Sequence, residues 1–127
     1  MAKKEFMYRG KTLDEMKNLS REELLEILPA SARRKMKRGF TDQEKILLSN
    51  IKEKKSNIKT HCRDMVILPE MVGIMVKVHK GNDYVLVSIN EEMIGHCLGE
   101  FAMTRKRVTH SSPGVGATKS SSNISVK

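Results

Sequence analysis

The stretch Gly73-Ile74-Met75-Val76-Lys77-Val78-His79-Lys80-Gly81-Asn82-Asp83-Tyr84-Val85-Leu86-Val87-Ser88-Ile89 decides the fold class. Two runs rich in β-branched residues flank Lys80-Gly81-Asn82-Asp83, whose glycine and asparagine supply turn chemistry, and the segment reads as a β-hairpin. Just beyond it, Asn90 can cap a last short helix through Glu91-Glu92-Met93-Ile94, with acids in the first turn where the helix dipole favours them. On the other side, Ile58 to His61 reads as a short strand and Met65 to Leu68 as a second extended piece ending at Pro69.

Further upstream the apolar period changes to that of helices. Residues 1–11 form a short leader without periodicity, and Thr12 caps a turn through Leu13-Asp14-Glu15-Met16. Ser20-Arg21-Glu22-Glu23 and Thr41-Asp42-Gln43-Glu44 are capping boxes, in which the hydroxyl takes the amide three residues on and the glutamate reaches back. The first opens a segment carrying Leu24, Leu25, Ile27 and Leu28 and stopped by Pro29; the second leads into Ile46, Leu47, Leu48 and Ile51. Between them Ala30 to Arg38 reads as a strongly basic helix closed by Gly39. Lys52 to Lys59 is a charged connection. The class is α+β: N-terminal helices, a small antiparallel β-sheet with a hairpin, a short helix and a disordered basic C-terminal tail.

Charge divides the 127 residues in the same places. Residues 1–57 hold 15 Lys and Arg against 9 Asp and Glu, residues 58–102 hold 4 against 6, and residues 103–127 hold 5 against none. Three parts follow: a basic helical N-terminal part at 1–57, an α+β core at 58–102 and a basic flexible tail at 103–127. The tail, with Arg105, Lys106 and Arg107 at its root, has one sign of charge and little apolar surface, so it needs a polyanion to order it. A near-neutral body with cationic flanks suits a phosphate-bearing surface.

The chain has no Trp, three Phe and two Tyr, which leaves Leu, Ile, Val and nine Met to pack a small core. Cys62 and Cys97 make no disulfide framework, and Met1-Ala2-Lys3-Lys4-Glu5 lacks the apolar run of a secretory signal. No segment approaches the roughly 20 apolar residues of a membrane span. The expectation is reduced cysteines in a cytoplasmic protein that does not enter membranes.

The strongest chemical signal is the basic helix, where Arg33, Arg34, Lys35, Lys37 and Arg38 fall within six positions. Such like charges repel unless counter-charges approach, and phosphates are the natural ones. A helix-turn-helix DNA-binding protein is the alternative, with Gly39 between the two helices. Its second helix, however, carries Gln43, Glu44, Lys45, Ser49 and Asn50, and the basic residues sit on the wrong helix for reading bases. His61-Cys62 and His96-Cys97 have no metal-chelating spacing, and His79 and His110 do not repair it. Gly114-Val115-Gly116-Ala117-Thr118-Lys119-Ser120 places Thr118 where a phosphate loop needs Gly. With no nucleophile elbow, HExxH or catalytic carboxylate pair, the reading is a binder without cofactor or metal rather than an enzyme.

Residues 58–118 resemble the small-subunit ribosomal protein nineteen family in its archaeal and eukaryotic form. The resemblance is carried by Thr60-His61-Cys62-Arg63-Asp64-Met65, Leu68-Pro69-Glu70-Met71-Val72-Gly73 and Val78-His79-Lys80-Gly81. It continues in Met93-Ile94-Gly95-His96, Leu98-Gly99-Glu100-Phe101-Ala102, Thr104-Arg105-Lys106-Arg107-Val108 and His110-Ser111-Ser112-Pro113-Gly114-Val115-Gly116-Ala117-Thr118. Tyr8-Arg9-Gly10-Lys11 and Leu28-Pro29-Ala30 look like the extension of the non-bacterial branch.

The resemblance implies a structural constituent of the small ribosomal subunit in the cytoplasm, bound to the 3′ domain of the rRNA in the subunit head. It implies neighbours as well: ribosomal protein thirteen of the small subunit, large-subunit elements at an intersubunit bridge, and tRNA near the decoding region through the C-terminal tail. By position it also implies RNA contact for His61, Arg63, His79, Lys80, His96, Arg105, Lys106 and Arg107. Gly95 and Gly99 match glycines that keep the backbone compact near RNA. Structured RNA is read through shape, phosphates and ribose hydroxyls, so these residue types suffice. With few aromatic rings to stack bases, the sheet reads as a scaffold.

Overall fold

A computed structural model describes residues 3–109. Its order is α1 (Leu13–Lys17), α2 (Arg21–Ile27), α3 (Ala30–Arg38), α4 (Asp42–Lys52), β1 (Ile58–Thr60), β2 (Met75–His79) and β3 (Tyr84–Ser88). Three 3₁₀ turns accompany the strands, at Pro69–Met71, Glu91–Met93 and Leu98–Phe101. The class is α+β, with the helices first, as the sequence indicates.

The helix starts follow from local chemistry. Thr12, Ser20 and Thr41 each accept a hydrogen bond from the amide three residues on, and Glu15, Glu23 and Glu44 each accept one from the cap amide. Each box satisfies two amides that a helix start otherwise leaves unpaired. α3 begins after Pro29 with no side-chain cap and ends at Gly39, whose φ of 87° is left-handed backbone. Glycine reaches that conformation without a Cβ penalty, and the basic helix stops there.

The hairpin forms as its sequence predicts, with Val76 opposite Val87, Val78 opposite Val85 and His79 opposite Tyr84. Gly81, at φ 111°, makes the turn, which the Lys80 amide closes by donating to the Asp83 carbonyl at 2.8 Å. The sheet is mixed rather than wholly antiparallel. β1 runs parallel to β2, with Ile58 beside Val76 and Thr60 beside Val78. Parallel partners need a crossover, and residues 61–74 supply it through the buried run Met65–Leu68 and the 3₁₀ turn at Pro69. A three-residue strand carries no alternation from which its direction could be read.

That buried run finds its own partner. Ile67 donates to the His96 carbonyl and Leu98 to that of Met65, while Gly95 and Gly99 donate back to Ile67 and Arg63. The segment after Asn90 is a 3₁₀ turn without a side-chain cap, in place of the capped helix expected there. Three residues are too few to commit to the α-helical pattern.

One apolar cluster holds the parts together. Met16, Leu28, Ala32, Met36, Leu47 and Ile51 come from the helices, Ile58, Val76, Val78 and Val87 from the sheet, and Met65, Ile67, Met71, Ile94 and Leu98 from the connections. The leader is less free than its lack of periodicity suggests. Tyr8 and Lys11 exchange backbone hydrogen bonds around a tight turn, and the Tyr8 hydroxyl lies 3.0 Å from where a Cβ on Gly95 would sit. Residues 103–109 are exposed and without regular structure. The flexibility expected of 110–127 lies outside the described residues.

Candidate nucleic-acid interface

The cations separate into those spent on the protein's own fold and those without a partner among the described residues. Arg33 belongs to the first group. Its guanidinium donates to the carbonyls of Leu25 (2.8 Å), Leu28 (3.2 Å) and Glu26 (3.3 Å), which closes the C-terminal end of α2. Arg21 does the same for α3 through the Met36 carbonyl at 2.7 Å, a role that nothing in its sequence context announces. Both place a positive charge where a helix end carries partial negative charge.

Lys35 is also internal. Its ammonium lies 2.6 Å from Glu44 Oε1 and 2.9 Å from Asp64 Oδ2, joining α3 to α4 and to the loop after β1. The lysine is held above its ordinary value, first by the hydrogen bond to Glu44 and then by that to Asp64. The Lys35 hydrogen bond in turn holds the Asp64 carboxyl below its usual range.

Arg63, like Arg33, is committed to three backbone carbonyls, but ones far apart in the chain. It donates to the carbonyls of His79 (2.6 Å), Gly99 (2.8 Å) and Ala102 (2.6 Å), tying the end of β2 to the last 3₁₀ turn. A Cβ on Gly99 would stand 2.9 Å from the Arg63 carbonyl oxygen, so glycine is required for this approach. The closeness that Gly95 and Gly99 permit is contact within the protein itself. Arg63 therefore fixes Ala102, the point from which the cationic tail departs.

Arg34, Lys37 and Arg38 are different. All three are exposed and form no ion pair or side-chain hydrogen bond among the described residues. Lys35, Lys37 and Arg38 occupy the last turn of α3, where the dipole offsets part of their repulsion. Arg34 and Arg38 line one cleft of ≈ 300 Å³ together with Cys97 and Glu100. Arg105, Lys106 and Arg107 are likewise exposed and without partners among the described residues. Six cations thus remain on α3 and the tail root without a counter-charge among the described residues.

His61, His79 and Lys80 come together at the hairpin end of the sheet. The rings of His61 and His79 stack at 4.1 Å and 28°, Tyr84 meets both edge-on, and its hydroxyl lies 3.0 Å from His61 Nε2. His96 stands apart, with Nδ1 2.7 Å from Glu100 Oε2 and its ring edge-on to Phe101 at 5.9 Å. The two His–Cys pairs go separate ways, and the described residues hold no cluster of three His, Cys, Asp or Glu side chains arranged for a metal. Burial pushes the half-exposed Cys97 thiol up, with Glu100 adding to the shift. No described helix is long and apolar enough to cross a membrane.

The sequence reading passed over Lys59, Lys77 and Tyr84. The signal was present in the alternation of β2 and β3, which turns Lys77, His79, Tyr84 and Leu86 to the same side of the sheet once the register is fixed.

Comparison with known proteins identifies the family. The model of the family "Ribosomal protein S19" matches residues 34–110, which run from the free arginine of α3 through the whole sheet to the start of the tail. The chain is 48% identical over 125 residues to the "Small ribosomal subunit protein uS19" of Methanospirillum hungatei, covering 98% of this chain and 91% of that relative. A match of this extent leaves no element of the fold outside it: the chain belongs to the ribosomal protein S19 family.

Proposed function

We propose that this protein is a structural constituent of the small ribosomal subunit, holding rRNA of the subunit head in the cytoplasmic ribosome. The observation that carries the reading is the 48% identity, over nearly the whole chain, to a protein whose name places it in that subunit. The unspent cations of α3 and of the tail root support it, because an rRNA surface supplies the counter-charge they lack. The body is rigidly cross-tied through Arg63 and Lys35, which suits a part that sets position while exposed cations neutralise phosphate.

In finer detail, the protein contacts the 3′ domain of the rRNA and lies beside ribosomal protein thirteen of the small subunit. It also faces a large-subunit bridge and extends its tail toward tRNA. These assignments come from the family resemblance of the motifs at 60–73, 78–81, 93–102 and 104–118. The role requires no catalysis.

Sedimentation of cell lysate through sucrose gradients at moderate and high salt, with the chain followed by mass spectrometry, tests the reading. Stoichiometric presence in the small-subunit peak at both salts is expected. A chain found only at the top of the gradient or with chromatin would overturn it and favour a DNA-binding role.

A further inference from the structure

β1 and β2 put Lys59 directly beside Lys77, and β2 and β3 put Lys77 beside Leu86 and His79 beside Tyr84. Strand alternation places these side chains on the face opposite the buried valines. No carboxylate from the three strands lies on that face. Asp83, next to Tyr84 in the chain, accepts the Tyr84 amide at 2.7 Å. Like charges directly across strands destabilise a sheet, so an approaching anion relieves Lys59 and Lys77.

The same face carries the ring cluster of His61, His79 and Tyr84, with the Lys59 ammonium 5.4 Å from the Tyr84 centroid. The Gly81 amide donates to His79 Nδ1 at 3.2 Å, which leaves Nε2 as the donor nitrogen of the neutral ring. On the same face Leu86, and Met75 at the far end of β2, are 58% and 59% exposed, apolar surface that nothing among the described residues covers.

We propose that this open sheet face takes an unstacked base of single-stranded RNA against the His61–His79–Tyr84 cluster, with Lys59 and Lys77 on its flanking phosphates. The proposal rests on the ribosomal reading and adds a mode to it: direct stacking, beyond the shape and phosphate contacts expected of a scaffold sheet. Interleaved rings and cations without acids are the requirement for holding a single strand. A protein partner docking on Met75 and Leu86 would leave the paired lysines without counter-charge unless it brought its own acids. Arg63 binds the His79 carbonyl and the Ala102 carbonyl together, so this face and the root of the cationic tail form one rigid unit.

The test uses the full chain and a single-stranded octaribonucleotide carrying 2-aminopurine at its centre, whose fluorescence falls when the base stacks. The wild type should quench it. His61→Ala combined with Tyr84→Leu should lose the quenching and weaken binding about tenfold or more. Tyr84→Phe should retain it. Lys59→Gln, which leaves the rings in place, should weaken binding and lower its salt dependence, and it serves if the double variant does not fold. The proposal is overturned if the double variant folds and quenches like wild type, or if the wild type fails to quench. In either case undiminished binding to intact small-subunit rRNA leaves the ribosomal reading standing. A double variant that binds all RNA normally but assembles into subunits lacking a neighbouring protein would also overturn it, assigning the face to that protein.

Discussion

The ammonium of Lys35 lies 2.6 Å from Oε1 of Glu44, a carboxylate whose side chain is 1% exposed. The other oxygen of that carboxylate accepts the Thr41 amide at 2.9 Å and so caps α4. A lysine from a run of five cations is thus the counter-ion of a buried helix cap. Removing one partner of such a pair strands the other charge away from water. Lys35→Ala should cost about 3 kcal/mol of folding stability. Arg34→Gln, on the same helix, should stay within about 0.5 kcal/mol of wild type. Urea unfolding of both variants checks the contrast, and equal losses would contradict it.

The Lys35–Asp64 contact makes stability depend on pH in a defined sense. Asp64 has a lowered folded value, so its contribution is complete above its unfolded value of about 3.9 and is lost as pH falls through the folded one. Lys35 has a raised folded value, so its contribution is complete below about 10.4 and is lost as pH rises through the folded one. Asp64 is largely exposed, and the difference between wild type and Asp64→Asn should be at most about 1 kcal/mol. That difference should hold steady from about pH 5 to 9 and close on acidification below the ordinary carboxylate range. Melting curves across pH check it; a difference that grows in acid would contradict the assignment.

Arg63 supplies the strongest tie between distant parts of the chain. Lysine cannot span the carbonyls of His79, Gly99 and Ala102 from one nitrogen, so Arg63→Lys should destabilise by about 3 kcal/mol. Gly99→Ala should cost about 2 kcal/mol, because the added Cβ meets backbone that cannot swing aside. Hydrogen exchange at Gly99 and Ala102 should speed up in both variants. Unchanged protection there would contradict the tie.

Sequence was sufficient wherever the determining chemistry is local. The two capping boxes at Ser20 and Thr41, Gly39 at the end of α3 and the Gly81-Asn82 turn each act over three or four residues, and each formed where the sequence set it. The direction of β1 was not legible, because pairing with β2 depends on a crossover through residues 61–74. Nor did the sequence distinguish Arg33 from Arg34. The two are chemically alike, and only the rotation of α3 brings one onto the carbonyls of α2 and turns the other to solvent. Lys59 and Lys77 are hidden for the same reason: Lys59 ends a charged connection, Lys77 stands alone in its strand, and their adjacency exists only across strands.

This division of the cations is the central claim, and the salt dependence of binding to small-subunit rRNA tests it most directly. Filter binding at several salt concentrations should give a log–log slope reduced by about 2 to 3 when Arg34, Lys37 and Arg38 are replaced by Gln, with melting temperature unchanged. Arg33→Gln should lower the melting temperature and leave the slope of the folded protein near that of wild type. A slope unaffected by the first set, or lowered equally by Arg33→Gln, would show that the cations are not divided as the structure indicates.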